Sequence, residues 1–586
     1  MGNAFLEIAP IKDFKFKTTL GGKLAFFGGV GFTPLFYLNA TNVTNKNSYG
    51  KSSNNVFDWN IENTLTYSKK LNNHNFTILL GQGAYTEGVG GGSGVTITNL
   101  PITNYQDASF NFDIPDANRT SFVFTYIQHK LTSLFTRINY DYGEKYLFTG
   151  ILRRDGSTKF GQNNKYGVFP SVSLGWVASK EGFWKDNNVV NLLKIRGGYG
   201  VVGNDGIRDF GYAATVNGGN NYTFGGGSQE TIITGYAPRS IENPDLRWEE
   251  TSQLNVGLDA KILRDFNFTF DYFKKTTNGI LRPIRIPGYV GVAEAPVGNI
   301  ADMENSGLEF ELGYQKKIGK VNFSANANFS TLKNEVTNIG LEKFIPGDAS
   351  FQVMKEVTRT EIGQAYNTFY GFQTAGIFQN VAEINAYTNS IGTLIQPNAQ
   401  PGDFRWVDNN GDGKIDDNDK TFLGNSIPKY TYGFTLNADY KGFDLMIFAQ
   451  GAGGNKIFQG LRRLDIGSAN YQTAVLGRWT GEGSSNTFPR LTTNDNNGNF
   501  TRMSDFYLQD GDYLRLKLVQ IGFSLPSTLT KKINADKIRF YITGENLVTF
   551  TKYTGFDPEI GGGVFGVDKG FYPQARTFMF GANLQF

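Results

Sequence analysis

One short stretch gathers the oxygen-bearing side chains most able to do chemistry: Asp408-Asn-Asn-Gly-Asp-Gly-Lys-Ile-Asp-Asp-Asn-Asp419. Asp408, Asn410, Asp412 and Asp416 fall at the first, third, fifth and ninth positions of a twelve-residue loop, and Asp419 closes it. Gly413 stands where such a loop turns, the Lys414 carbonyl takes the seventh position, and Ile415 follows as an apolar anchor. Hard oxygen donors at this spacing suit calcium in the EF-hand manner, with Asp in place of the usual closing Glu. No flanking helices are predicted, so calcium would clip one long loop, residues 400–427, in a structural role. The plainer reading is a solvated cluster of Asn, Asp and Gly turns.

Other constellations are weaker. Gly198-Tyr-Gly-Val-Val-Gly203 matches a dinucleotide fingerprint, but no amphipathic helix follows to receive a pyrophosphate. Residues 88–94 are rich in Gly but lack the Lys-Ser/Thr of a phosphate loop. Cys is absent and His occurs only at His74 and His129, which argues against thiol chemistry and His-ligated metals. Acidic pairs such as Glu249-Glu250 and Asp416-Asp417 have no partner set across a cleft for glycosidase work. No catalytic or cofactor-binding residue is assigned, and the chain is not expected to be an enzyme. Loop aromatics (Tyr222, Phe224, Tyr236, Trp406, Phe488, Tyr553, Phe571) could stack on sugars or peptides, or pack their own loops.

The elements that must carry these loops read as strands. Among 586 residues there are 72 Gly, 50 Phe and 29 Tyr, a balance suited to β-structure with many turns. No apolar run is long enough for a transmembrane helix, and a net charge of +3 gives no case for nucleic acid. Phe578, Phe580, Ala582, Leu584 and Phe586 alternate with Met579, Gly581, Asn583 and Gln585, the period of a strand apolar on one face. Hairpins follow the same design. Leu254 to Ala260 turns at Arg264-Asp265 into Phe266 to Tyr272. Leu308 to Tyr314 turns through 316–320 into Val321 to Phe329. Tyr432 to Tyr440 turns at Lys441-Gly442 into Phe443 to Ala449. A long strand is expected over 121–142, turning at Gly143-Glu-Lys, and others at 22–37, 56–69, 75–85, 167–178, 191–201, 513–525 and 537–549. A slip of the apolar phase at Leu518-Val519 suggests a bulge. Residues 40–55 and 86–94 read as loops. Tight turns alternate with long excursions near 202–247, 276–304, 334–427, 451–512 and 551–574, the asymmetry of a transmembrane antiparallel β-barrel in an outer membrane. About 16 to 18 strands are expected, with Tyr314, Tyr440, Trp176 and Tyr513 placed for interfacial girdles.

Arg153-Arg-Asp-Gly-Ser-Thr-Lys-Phe-Gly, Phe169-Pro-Ser-Val-Ser-Leu-Gly-Trp, Leu193-Lys-Ile-Arg-Gly-Gly-Tyr-Gly, Asn243-Pro-Asp-Leu-Arg-Trp-Glu-Glu-Thr, Asn299-Ile-Ala-Asp-Met-Glu-Asn-Ser-Gly-Leu-Glu-Phe and Gly544-Glu-Asn-Leu run in order along the chain. Together these stretches resemble the SusC/RagA family of TonB-dependent outer-membrane transporters. The resemblance spans residues 1–586 as a barrel domain. It implies a 22-stranded barrel around a plug, in lipid of the outer membrane of a Bacteroidetes-type bacterium. It also implies a SusD-like surface lipoprotein, energy from the TonB complex, and oligosaccharide or peptide cargo. A signal peptide, TonB box and plug are not found, so an incomplete, carboxy-terminal barrel portion is expected. A passive porin-like channel and a surface carbohydrate-binding β-protein remain as alternatives.

Overall fold

The computed structural model describes residues 1–39, 42–184, 187–219, 221–224, 231–354, 356–464, 469–560 and 565–586. The chain is all-β and divides into two compact units. The first is Met1–Trp176, Gly198–Ser252 and Gly279–Asn299; the second is Val177–Gly197, Gln253–Asn278 and Ile300–Phe586.

In the first unit, β1 (Gly2–Ile8), β2 (Phe14–Thr33), β3 (Ser48–Leu71), β4 (His74–Thr98), β5 (His129–Tyr142), β6 (Tyr146–Ser157) and β7 (Tyr166–Val177) form an antiparallel meander. Each pairs with the next in the chain. The turn between β5 and β6 places Gly143 and Glu144 at φ 58° and 55°, a left-handed pair closed by the Lys145 N–H on the Tyr142 carbonyl. Alternation sets the faces. Leu20, Leu24 and Phe26 of β2 are exposed, while Lys15, Lys17 and Lys23 lie on the opposite row.

Three sequence expectations give way here. Residues 86–94 are strand, not loop, because β4 runs unbroken from His74 to Thr98. The glycines make room for rings. A Cβ on Gly92 or Gly94 would meet the Phe124 ring at 2.9 Å or the Phe122 ring at 2.6 Å. Of the predicted 40–55 loop, residues 48–55 belong to β3, paired across to the same glycines; residues 40 and 41 lie outside the described residues. The single strand over 121–142 is two. Arg119–Thr125 pairs with residues 91–97 of β4, and β5 pairs with 74–87.

Residues of four of the quoted family-like motifs meet in this unit. Phe160, Phe169, Leu246 and Trp248 form one buried cluster, with Trp248 5.1 Å from Phe160 and 5.5 Å from Phe169 between ring centroids. Asn299 fastens it: its amide nitrogen donates to the carbonyls of Arg247 and Gly279, and its oxygen accepts from the Arg247 N–H. Gly203 also packs against Phe169 and Trp248, and Gly198–Gly203 lies within β8 (Val190–Asn204). The glycine motif is therefore strand and packing surface, with no helix after it.

Strands β8, β9 (Glu249–Ile262), β10 (Phe266–Pro283) and β11 (Val297–Ile318) each contribute residues to both units. The second unit adds β12 (Val321–Thr331), β13 (Tyr430–Tyr440), β14 (Phe443–Gly453), β15 (Tyr513–Ser524), β16 (Lys537–Thr551) and β17 (Thr577–Gln585). From β11 to β17 each pairs with its successor. Lys333–Asn338 continues the ladder on β11 beyond β12. The predicted turns are present: Leu263 and Arg264, then Lys441 and Gly442, hold positive φ. Against β14 the register of β15 slips between Leu516 and Leu518, so Lys517 is the extra residue there, just before the predicted site.

Rows facing away from the packed side are apolar and exposed, as in Phe578, Phe580 and Leu584 of β17 and Ile542 and Phe550 of β16. Opposite rows carry charge. Arg196 of β8 forks onto Asp271 at 2.6 Å and reaches Asp259 at 3.2 Å. Among the described residues no helix is long and apolar enough to cross a membrane; strands of this pattern are the elements that cross.

The large buried side chains of this unit come mostly from the excursions. Trp406, Phe351, Phe369, Phe378, Phe404 and Phe458 are almost fully buried, and none lies on a long strand.

Candidate functional site

The excursions of the second unit fold into short sheets. Thr358–Thr360 pairs with Ile345–Pro346 and Thr368–Gly371, which pairs with Thr421–Gly424. Phe404–Trp406 pairs with Thr374–Ile377, and Lys456–Gln459 takes Leu508–Asp510 on one side and Val567–Asp568 on the other. Buried amides tie them together. Gln396 accepts from the Trp406 N–H, and its nitrogen donates to the Phe404 carbonyl and Asn497. Of the loop aromatics, Trp406 and Tyr553 are buried and Phe488 packs on Phe500 and Phe506. Tyr222, Tyr236 and Phe571 are exposed; the Phe224 side chain lies outside the described residues.

Ile415 of the acidic loop packs against the cluster of Phe372, Ile377, Phe404 and Trp406. Asp408 accepts from the N–H groups of Gly411 at 2.7 Å and Gly413 at 2.9 Å, and both glycines have positive φ. Asn410 accepts from Asp412, Asp412 from Lys414, and Asp416 from Asn418. Lys414 reaches Asp416 at 2.5 Å and Asp412 at 3.7 Å. This ammonium holds the Asp416 carboxyl below its usual range, helped by the Asn418 N–H. Asp419 is fully buried, and its carboxylate accepts from the N–H groups of Asn409 and Asp416, capping the short helix Asp417–Asp419. Burial pushes that carboxyl up, partly offset by those N–H groups. The loop turns at Gly411 and Gly413, and its carboxylates are engaged by backbone N–H groups and by Lys414. Among the described residues no three His, Cys, Asp or Glu side chains converge to hold a metal ion.

A second feature lies where the ends of β14 and β15 meet the excursions. A cavity of about 440 Å³ is lined by Tyr366, Asn367, Asn455, Tyr513, Glu559 and Phe565, among others. Glu559 is already paired, with Arg515 at 2.7 Å and Lys517 at 2.7 Å. Arg515, itself buried, also donates to Asp557. Burial would raise the Asp557 carboxyl, but N–H groups of Gln574 and Glu559 together with Arg515 hold it below the usual range. Charges with several partners withstand burial where lone ones do not.

One constellation in the first unit was invisible in sequence. His129 places Nδ1 3.1 Å from Glu87 and Nε2 2.9 Å from Asp205 and 3.1 Å from the Ser157 hydroxyl. The residue types are those of a hydrolytic triad. Ser157 is fully buried, however, and its hydroxyl donates to Asp205 at 2.7 Å, so it presents no nucleophile to a substrate. Strand pairing sets His129 beside Glu87 and near Ser157, Asp205 joins from just beyond the end of β8, and no spacing announces the group.

The family model "TonB dependent receptor-like, beta-barrel" matches residues 12–547. TonB-dependent receptor P3 of Formosa agariphila is 31% identical over 602 residues, covering 99% of this chain and 55% of that protein. TonB-dependent receptor SusC of Bacteroides thetaiotaomicron is 28% identical over 578 residues, covering 93% of this chain and 52% of the relative. The chain therefore spans about half the length of the curated relatives it matches. The RagAB peptide importer in its closed-closed state has the same fold, with a TM-score of 0.81 at 24% identity over 100% of this chain and 61% of the other. Matched across most of its length and built of long strands with exposed apolar rows, the chain belongs to the TonB-dependent receptor β-barrel family of the bacterial outer membrane.

Proposed function

We propose that this chain is the barrel portion of an active nutrient importer that takes up oligosaccharides or peptides. Energy would come through the TonB complex, and a SusD-like surface lipoprotein would serve as partner. The observation that carries the reading is the family match over 12–547 on a chain whose strands expose apolar rows to lipid and charged rows opposite. The named relatives are receptors and a peptide importer, in keeping with transport rather than catalysis. The test is uptake by cells of the source bacterium. Deleting this gene, or the gene for TonB, should each abolish growth on the same oligosaccharide or peptide mixture. Uptake that survives loss of TonB would favour a passive channel instead.

We infer in addition that the 408–419 loop takes calcium as a structural ion. The spacing of Asp408, Asn410, Asp412 and the Lys414 carbonyl supports it, as do the glycine turns that give the loop its shape. Asp416 and Asp419 would complete the set after Lys414 moves aside. Bound calcium would supply charge neutralisation and order, nothing more. Calorimetric titration with calcium up to the millimolar range is the check, and no binding there sinks the idea.

A further inference from the structure

At its short-turn end the second unit carries a belt of rings in one register row. Tyr440 stands opposite Phe443, Phe443 opposite Phe523, Phe523 opposite Phe540, and Phe540 opposite Ala582. Ala582 shares a strand face with Phe578, Phe580 and Leu584, so the rings belong to the outward, exposed row. Phe443 is 57% exposed and lies 4.5 Å from Phe523 between ring centroids. In a membrane barrel such a belt marks the level where acyl chains give way to headgroups.

Cations stand one step beyond the belt. Lys441 follows Tyr440 in the turn to β14 and is exposed, its ammonium 5.4 Å from the Tyr440 ring. The Ser524 N–H donates to the Gly442 carbonyl at 2.7 Å, which ties this turn to the connection between β15 and β16. There Ser527–Thr530 and Lys531–Ile533 form a short helical turn. Thr530 and Ala535 are buried, while Leu529 and Ile533 are 50% and 60% exposed beside exposed Lys531 and Lys532. Among the described residues Lys441, Lys531 and Lys532 make no ion pair. Asp439 is paired in register with Asp444 on the opposite row, where Arg539 donates to Asp444 at 2.9 Å. The connection itself holds one carboxylate, Asp536.

This order of groups selects among ligands. A soluble anion meets the lysines and leaves Leu529, Ile533 and the rings in water. A zwitterionic lipid offers its phosphate only beside its own ammonium. A lipid of net negative charge satisfies both layers. We propose that this rim binds an anionic phospholipid, with Lys441, Lys531 and Lys532 on the headgroup phosphate and Leu529, Ile533 and the ring belt on the start of the acyl chains. The site needs only the membrane placement of the barrel and holds whatever the cargo.

The test is native mass spectrometry of the full chain released from a neutral detergent. Dioleoylphosphatidylglycerol and dioleoylphosphatidylcholine, in equal amounts, are the probes. The parent is expected to retain phosphatidylglycerol in preference. K441Q/K531Q/K532Q should weaken that binding about tenfold or more, and K441R/K531R/K532R should keep it. L529S/I533S, which leaves the cations in place, should weaken retention of both lipids. Equal retention of the two lipids by the parent overturns the proposal, as does an unchanged preference in the glutamine variant. So does displacement of phosphatidylglycerol by excess inorganic phosphate, which marks a free-anion site, or by polyglutamate, which marks a surface for an acidic protein.

Discussion

The Asp505 carboxylate holds Thr374 at two groups, its backbone N–H at 3.1 Å and its hydroxyl at 2.9 Å, across 131 residues of chain. Two excursions are tied by this one side chain. Replacing Asp505 by Ala should cost about 1.5–3 kcal/mol locally, the scale for hydrogen bonds to a charged group. Limited proteolysis would read it: cleavage within 374–406 should quicken while the long strands stay protected.

The same carboxyl gives a pH signature. Burial raises it above its ordinary value of 3.8, against the pull of the Thr374 donors. The folded form then holds its proton more tightly than the unfolded chain does. Its contribution is full below 3.8 and is lost as pH rises through the folded value. Asp557, held low, has the opposite sign: its stabilisation is present above 3.8 and is lost as pH falls through its folded value. Protease protection of the 374–406 region should therefore weaken as pH rises above 3.8, and that slope should vanish in D505A. An unchanged slope would assign the effect to another group.

Gly94→Leu should unseat the strand Arg119–Thr125, because a Cβ there meets the Phe122 ring at 2.6 Å and the Lys51 carbonyl at 3.0 Å. Overpacking of this kind costs about 1–3 kcal/mol. Folded outer-membrane barrels run anomalously on unheated gels, so the temperature at which that band shifts should fall in the variant.

Leu246→Ala opens a hole in the cluster with Phe160, Phe169 and Trp248. Leu246 is fully buried, and such truncations cost about 2–5 kcal/mol. Intrinsic tryptophan fluorescence of Trp248 during urea unfolding should report an earlier transition.

Arg515→Ala leaves the Asp557 and Glu559 carboxylates without their shared cation. Arg515 is 2% exposed, and breaking a buried pair from one side costs about 3–5 kcal/mol. Lys517→Ala, which leaves Arg515 on Glu559, should cost much less. Equal losses in the two variants, measured by thermal unfolding in detergent, would contradict this ranking.

Much of the strand architecture was legible because alternation and turn chemistry are local. Arg264, Lys441-Gly442 and Gly143-Glu144 announced their hairpins, and Phe578, Phe580 and Leu584 announced their exposed row. Glycine misled at 86–94, since its permissive backbone reads as loop until Phe122 and Phe124 arrive to cover it. The acidic loop was legible as a turn. Lys414 on Asp416, and the backbone donors on Asp419, were not, because spacing does not record what a carboxylate is already bonded to. The cavity lined by Asn367 and Asn455 and the His129 group were silent for a related reason: their residues come from distant strands and excursions.

Phe580 on an exposed row and Phe369 in the excursion core face different kinds of surroundings. A fluid lipid tail flows into whatever space a smaller outward residue vacates. The packed core around Phe369 cannot, and a hole there stays a hole. Outward rows should thus tolerate drift in side-chain size while the excursion interiors resist it. In such a protein the connections, more than the strands, are the rigid and unforgiving part.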